Sequence, residues 1–334
     1  MGFNEVLMNN LLLGCISLIA FVGASQSLAD TNEQAFPTKP IRFVIPFSAG
    51  GPVDVLGHAV GQRFSANLGP NVILDNKTGA SGIVAFEAVA KAPPDGYTLL
   101  LTSGNFTAIP AFMKTIPFDP IRDFKPVSMI AKTPGMVLAV NPNVAIKSVK
   151  ELVEYSKAYP KKLNYGSSGF GGVQHLGMEL FMRAAGIKMT HVAYKGATPL
   201  SVDLLGGHID IALLTPVTAI EFVKNGRLRA LGFSGLKHFN KLPEVPTLDE
   251  AGIKGFEYIL WYGFFYQSKI PSDIMSKIHS EIVSASKSAD VQKTFEEVGF
   301  EATSSSSPSD YTKFIVNDIA AMKTLANQMG VIPE

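Results

Sequence analysis

The chain has 334 residues, of which 46% are hydrophobic and 17% charged, and its formal net charge is +1. This is enough for two ordinary domains with substantial cores, and it excludes a disordered chain. Both signs of charge are spread along the sequence, which excludes the basic patch a nucleic-acid binder needs to neutralise phosphates.

The N-terminal stretch differs from the rest. "LLLGCISLIAFVGA" is an apolar run of fourteen residues, and "SLAD" follows it with small Ser27 and Ala29 where a signal peptidase reads. Residues 1–29 are therefore expected to be a signal peptide cleaved after Ala29, sending the mature protein to the periplasm. The leading "MGFNEVLMNN" has no Lys or Arg. An uncleaved anchor is the alternative, but the run is short of the ~20 residues a spanning helix needs. Cys15 is the only cysteine, so the mature chain has no disulfide, no cysteine zinc site and no thiol nucleophile. "LLGC" loosely resembles a lipoprotein cleavage site, which leaves lipidation at Cys15 as a second alternative. The later apolar run "YILWYGFFY" has nine residues, too few to span a bilayer.

After the polar leader "DTNEQAFPTKP", strand and helix patterns alternate. "IRFVIPF" reads as a strand, and Leu56, Val60, Phe64 and Leu68 make a helical stripe. "NVILDN" is a strand, "GIVAFEAVAKA" a helix ended by "PPDG", and "YTLLLT" an unbroken apolar strand suited to a sheet covered on both faces. The pattern then restarts. "GMVLAVN" is a strand, "SVKELVEYSKAYP" a helix, and "LNYGSSGFGG" a strand entering a second glycine corner. Val173, Leu176, Leu180 and Ala184 stripe the next helix. "MTHVAYKG", "HIDIALL" and "LRALGFSG" alternate with the helices "TPLSVDLLGG" and "PVTAIEFVKNG". "FEYILWYGFFYQ" opens a last strand, and helices are predicted over residues 272–286 and 308–328. Two α/β units result. The C-terminal part is too small for a domain of its own and is expected to complete the first unit.

Seven segments in series, "PFSAGGPVD", "DNKTGASGIVAFEAVAKAPPDGYTLLL", "FDPIRDFKPVSMIA", "LNYGSSG", "HVAYKGATPLSVDLLGGHID", "PEVPTLDEAGIKGFE" and "WYGFF", resemble the Bug family of substrate-binding receptors of tripartite tricarboxylate transporters. The resemblance runs from about Pro37 to the C-terminus. It implies an α/β, two-lobed periplasmic-binding-protein type II fold that closes on a small organic anion, each lobe a doubly wound sheet flanked by helices. It also implies no catalytic residue, no metal and no cofactor. The expected division is 30–134 with 257–334 for a discontinuous first lobe and 135–256 for the second, with crossings near residues 132–136 and 255–261. The implied partners are a small carboxylate and integral membrane transporter subunits, with the receptor itself a monomer.

The residues support an anion site on their own terms. In "SAGGPVD", Gly50 and Gly51 let the backbone turn, and Pro52 suits a first helical position. The corner is expected to point N–H groups and the positive end of a helix dipole into the cleft. Asp54 is expected to be structural, since a carboxylate beside an anion would repel it. The plain alternative is a tight turn, made less attractive by a similar corner in each unit. Candidate ligand-binding residues are Phe47, Ser48, Ala49, Gly50 and Gly51 at the first corner and Ser167, Ser168 and Gly169 at the second. Thr102, Ser103 and Asn105 follow the buried third strand, where α/β sheets place ligands; a polar loop is the alternative. Tyr194, Lys195, Gly196, Asp210 and Thr215 complete the set. Lys195 reads equally as a cationic partner or a solvated lysine, and Asp210 equally as a ligand contact or a structural bond. Many relatives carry Asp-Asn where this chain has Leu214-Thr215, which argues against an amino-acid ligand.

Neither corner fits a nucleophile elbow, a dinucleotide fingerprint or a P-loop. The six histidines are scattered, and His175 is expected to be a packing or capping residue. The competing functions are an exported hydrolase using a Ser-rich corner, for which no motif ties a histidine to the serines, and a ligand sensor feeding a signalling partner.

Overall fold

The computed structural model describes residues 36–328. The expected signal peptide, its cleavage after Ala29 and Cys15 lie outside the described residues. From Pro37 onward the chain forms a compact unit built on two sheets.

The first sheet starts with β1 (Ile41–Ile45), β2 (Val72–Asn76) and β3 (Thr98–Ser103), all parallel, with α1 (Pro52–Leu68) and α2 (Ile83–Ala90) as the crossovers. Phe43 is paired to Leu74 on one side and Leu99 on the other. Every residue of β3 is buried, as a strand covered on both faces requires. α3 (Asn105–Phe112) follows β3 directly, and β4 (Phe124–Lys132) forms further along. β10 (Trp261–Gln267), from the far end of the chain, inserts antiparallel between β3 and β4. With β11 (Glu301–Ala302), the order is β11-β4-β10-β3-β1-β2. α8 (Ser272–Lys287), α9 (Ala289–Glu297) and α10 (Pro308–Gln328) complete this half; α8 packs on β4 and α1, and α10 on α3 and β4. Phe106 anchors the core, 4.6 Å from Phe265 and 5.3 Å from Phe86 between ring centroids.

The second sheet holds β5 (Val137–Val140), β6 (Asn164–Ser167), β7 (Thr190–Ala193), β8 (Ile211–Leu214) and β9 (Arg229–Phe233) in the order β7-β6-β8-β5-β9. β6 runs parallel to β7 and β8, while β5 runs antiparallel to β8 and β9. The helices are α4 (Val149–Ala158), α5 (Val173–Ala185), α6 (Ala197–Gly206) and α7 (Pro216–Lys224). α4 starts at a capping serine: Ser148 Oγ accepts from Glu151 N at 3.1 Å, and Glu151 reaches back to Lys147 N at 2.8 Å. α1 and α7 start with proline, whose missing N–H is no loss there.

The chain crosses to the second sheet between β4 and β5 and returns between β9 and β10. The two crossings are bonded to each other: Thr133 N donates to Leu260 O, and Leu260 N to Thr133 Oγ1, each at 2.8 Å. This pair ties the two crossing segments side by side.

Four elements differ from expectation. Asn105, for which a polar loop was the alternative reading, begins α3, which runs on to Phe112 despite Pro110. β4 was hidden by Pro126, which sits opposite Phe265 where the register with β10 shifts, the kind of irregularity that accommodates proline in a sheet. α9 is an additional short helix, and β10 begins at Trp261 rather than five residues earlier.

Candidate functional site

The first corner is built by β1 and fastened by β2. Asn76, at the end of β2, donates Nδ2 to Phe47 O at 3.0 Å and to Asp54 Oδ1 at 2.9 Å. Asp54 Oδ2 in turn accepts from Gly50 N at 2.9 Å. Gly51 N points back to Ser48 O at 3.4 Å. Asp54 thus has the structural role expected of it. The expectation for Gly50 and Gly51 is corrected: both N–H groups close the turn and neither is free for a ligand. Gly50 is exposed, with φ +73°. The donors that α1 directs forward belong to its own first turn, behind Pro52.

The second corner follows β6. Gln174 holds it: Oε1 accepts from Ser168 N and Nε2 donates to Leu213 O, both at 3.0 Å. Behind it lies a pair of histidines, His175 buried and His191 half-buried. Gly171 N donates to His175 Nδ1 at 3.0 Å, which leaves the ring proton on Nε2. The His175 and His191 rings stack 4.0 Å apart and 4° from parallel. Burial, and for His175 the neighbouring His191, lowers the two pKa values from 6.5 to about 3 and about 4 respectively. Ser167 Oγ donates to Gly169 O at 3.0 Å and lies 2.7 Å from His191 Nε2. Ser167 Oγ also accepts from Gly169 N at 3.3 Å, so the pair is a structural bond inside the fold rather than a base poised on an accessible nucleophile. Ser167 is fully buried and faces inward. It was expected in the site, but only Ser168 reaches the cavity.

Both corners meet at a cavity of about 30 Å³ between the lobes. Twelve residues line it, and five helices begin there: α1 (Pro52, Val53), α3 (Asn105), α5 (Val173, Gln174), α6 (Ala197) and α7, whose N-cap is Thr215. The first N–H groups of a helix lack intrahelical partners, and each N-terminus carries a partial positive charge of about half a unit. α1 and α3 come from the first lobe and the other three from the second. None of the lining residues carries a formal charge. Ser103 and Ser168, 3% and 8% exposed, have hydroxyls that form no hydrogen bond among the described residues. One comes from each lobe, and both face the cavity. Burial raises the pKa of the Tyr262 phenol, another lining group, and keeps it protonated.

Direct bonds join the lobes around the cavity. Asn105 Oδ1 accepts from Val173 N at 2.9 Å. Ser81 Oγ donates to Phe170 O at 2.6 Å, and Thr198 Oγ1 to Ala49 O at 3.0 Å. Tyr258 OH donates to Val173 O at 2.6 Å. Gly196 lies so near the first corner that a Cβ there would sit 2.6 Å from Ser48 Oγ. The lobes are therefore shut.

Of the expected site residues, Phe47, Ser103, Asn105, Ser168 and Thr215 line the cavity. Ser48, Ala49, Gly50, Gly51, Thr102, Gly169 and Gly196 lie next to these in the chain, in the turns around it; the Ser48 and Thr102 hydroxyls are buried without a partner. Lys195 is exposed beside Gly196 and has no ion pair among the described residues. Besides Ser167, two residues fall away. Tyr194 OH donates to Asp203 Oδ2 at 2.8 Å, and burial followed by that carboxylate pushes the phenol up to about 12. Asp210 Oδ2 accepts from Asn164 N at 2.7 Å. It precedes β8, whereas Thr215 follows it, a strand's length of roughly 13 Å away; of the two readings of Asp210, the structural bond is the one present. Pro52, Val53, Val173, Gln174, Ala197, Leu260 and Tyr262 were missed. The first five were legible only as first-turn positions of predicted helices; Leu260 lies at the return crossing and Tyr262 at the start of β10, and neither gives a local signal.

Residues 58–331 match the model of the tripartite tricarboxylate transporter family receptor. The chain belongs to this receptor family. The receptor is 34% identical over 325 residues to a UPF0065 protein of Bordetella pertussis, covering 97% of this chain and 98% of that one. Its fold superposes on the periplasmic binding protein BugD with a TM-score of 0.86 at 27% identity, and on R. palustris Rpa4515, whose structure contains adipate, with 0.85 at 30% identity. Each of these covers 90% of the receptor and 100% of the neighbour. The architecture is the two-lobed type II fold, and the family consists of binding receptors, not enzymes. The hydrolase alternative is thereby set aside. Among the described residues, no helix is long and apolar enough to cross a membrane.

Proposed function

We propose that the receptor is exported by cleavage after Ala29, acts as a monomer, captures a small organic carboxylate between its lobes and presents it to its membrane transporter subunits. The lobes in this reading are residues 30–134 with 257–334, and 135–256. One observation carries the ligand class: five helix N-termini converge on an uncharged cavity that also holds the unpartnered hydroxyls of Ser103 and Ser168. Such a cavity attracts an anion through aligned dipoles and neutral donors. A carboxylate that accepts from both serines and from helix N–H groups gains charge-assisted hydrogen bonds of about 1.5–3 kcal/mol each. After ordering costs, a few of these reach the roughly −8 kcal/mol of a micromolar Kd. Adipate bound to a structural neighbour supports the same class.

Thermal-shift screening of the mature protein against small carboxylates is the test. A true ligand stabilises the folded state by RT ln(1 + [L]/Kd), about 2.7 kcal/mol at a hundredfold excess over Kd. Failure of every mono-, di- and tricarboxylate to shift the melting temperature would overturn the reading.

A further inference from the structure

We propose that Asp318 is a positioning residue for the ligand site: it stands outside the cavity and fixes two first-lobe segments that wall it. This rests on the carboxylate reading of the cavity and adds a residue to it.

Asp318 is half-buried on α10, a helix that contributes nothing to the cavity lining. Its Oδ2 accepts from Thr107 Oγ1 at 2.5 Å and from Trp261 Nε1 at 2.9 Å. Both donors stand where the cavity depends on position. Thr107 is fully buried in the first turn of α3, two residues after the lining Asn105. Trp261 opens β10 between the lining Leu260 and Tyr262. One carboxylate oxygen therefore ties α3, β10 and α10 together. Bonds to an ionised acceptor are roughly twice as strong as neutral ones.

The tied segments press on one point of the other lobe. Gly104 caps α3, and a Cβ there would lie 3.1 Å from Val173 Cγ1 and 3.4 Å from Trp261 Nε1. Beside it, Asn105 makes the cross-lobe bond to Val173 N. A slip of the α3 turn or a swing of the indole would spoil both contacts.

Packing alone does not prevent such a movement. A second cavity of about 40 Å³ borders Gly104, Trp261 and Asp318, and shares Val173 and Leu260 with the first. The indole edge faces space rather than a filled core, so its bond to Asp318 decides where it sits. The plain alternative is a brace for α10 alone, which lowers stability and leaves Kd unchanged.

Calorimetric titration at 25 °C with adipate, succinate, malate and citrate as probes tests this, on proteins shown to be folded by circular dichroism. Asp318→Ala is expected to bind the tightest of these acids at least tenfold more weakly than wild type. Asp318→Asn is expected to stay within threefold, because both bonds land on one oxygen and an amide offers one. Thr107→Val is expected to weaken binding at least threefold, and Thr107→Ser to bind as wild type does. Adding Thr107→Val to Asp318→Ala is expected to change Kd less than twofold further, as residues that act as one unit do. Wild-type affinity in folded Asp318→Ala or, where that variant does not fold, in Thr107→Val would overturn the role while leaving the carboxylate reading in place. Equal losses in Asp318→Asn and Asp318→Ala would replace positioning by charge and overturn it too. No heat from any acid with the wild-type protein would overturn both readings.

Discussion

The imidazoles of His175 and His191 lie face to face, 4.0 Å apart, immediately behind the corner that carries Ser168. Burial disfavours the charged form of each ring, and the stacking disfavours charging both, so both are neutral near pH 7. Unfolding releases them to water, where an imidazole titrates near 6.5. Below that pH the unfolded state binds protons that the folded state refuses, so stability falls as pH falls from about 6.5 toward the folded values of about 4 and about 3. His175→Gln keeps an acceptor for Gly171 N and removes one titrating ring. Urea unfolding of this variant should lose stability with falling pH less steeply than wild type, by about 1 kcal/mol per pH unit between pH 6 and 4.5. Equal slopes would mean that His175 is protonated in the fold.

The two serines of "YGSSG" should separate cleanly. Ser168→Ala removes a cavity hydroxyl and should weaken carboxylate binding tenfold or more, on the order of 1.5–3 kcal/mol. Ser167→Ala removes a bond to His191 and Gly169, so it should cost about 1 kcal/mol of stability and leave Kd within threefold. Calorimetry and urea unfolding on both variants decide the matter; the opposite assignment of effects would place the ligand on Ser167.

The glycines of the first corner and of the opposing rim also differ. Gly50 has φ +73° and open space around a notional Cβ. Gly50→Val should therefore destabilise the fold by about 1–3 kcal/mol through backbone strain, with only a modest effect on Kd. Gly196→Ala puts a methyl against Ser48, 2.6 Å from its Oγ, so it should obstruct closure. Binding should weaken at least tenfold, and solution scattering at saturating ligand should give a larger radius of gyration than wild type. A Gly196→Ala protein that closes and binds normally would show that the rim contact does not form in solution.

Thr198 sits on the rim, and its hydroxyl reaches across to Ala49. Thr198→Val keeps the shape and removes the bond. Ligand should then dissociate several times faster in stopped-flow displacement, consistent with a loss of about 0.5–1.5 kcal/mol, while the association rate stays near wild type. An unchanged dissociation rate would remove this bond from any role in retention.

Much of the fold was legible because strands and helices in this chain are short, periodic and punctuated by glycine and proline. The stripe Leu56, Val60, Phe64 located α1, and the apolar run before Thr102 located β3. β4 was not legible because Pro126 interrupts its pattern, and its partner β10 lies more than a hundred residues on. α3 was hidden by Gly104 before it and Pro110 within it, both poor helix residues by local propensity. The site was legible only where it uses side chains. Ser103, Asn105, Ser168 and Thr215 announced themselves as polar residues at strand ends. Val53, Val173 and Ala197 contribute position and backbone, and an apolar side chain in a first turn carries no mark of the N–H beneath it. Asp210 misled because a polar residue at the wrong end of a short strand looks, in sequence, like one at the right end.

The helices that begin at the cavity are divided between the lobes, α1 and α3 in one and α5, α6 and α7 in the other. Their combined field therefore exists only while bonds such as Ser81 to Phe170 and Thr198 to Ala49 hold the two halves together. Parting the lobes splits the five dipoles into a pair and a trio and lets water screen both. A bound anion then loses its donors and the low-dielectric surroundings in one movement, without any group changing protonation. Under the proposed function, cargo release would be a mechanical event: a membrane partner that prised the lobes apart would also switch off the attraction holding the ligand.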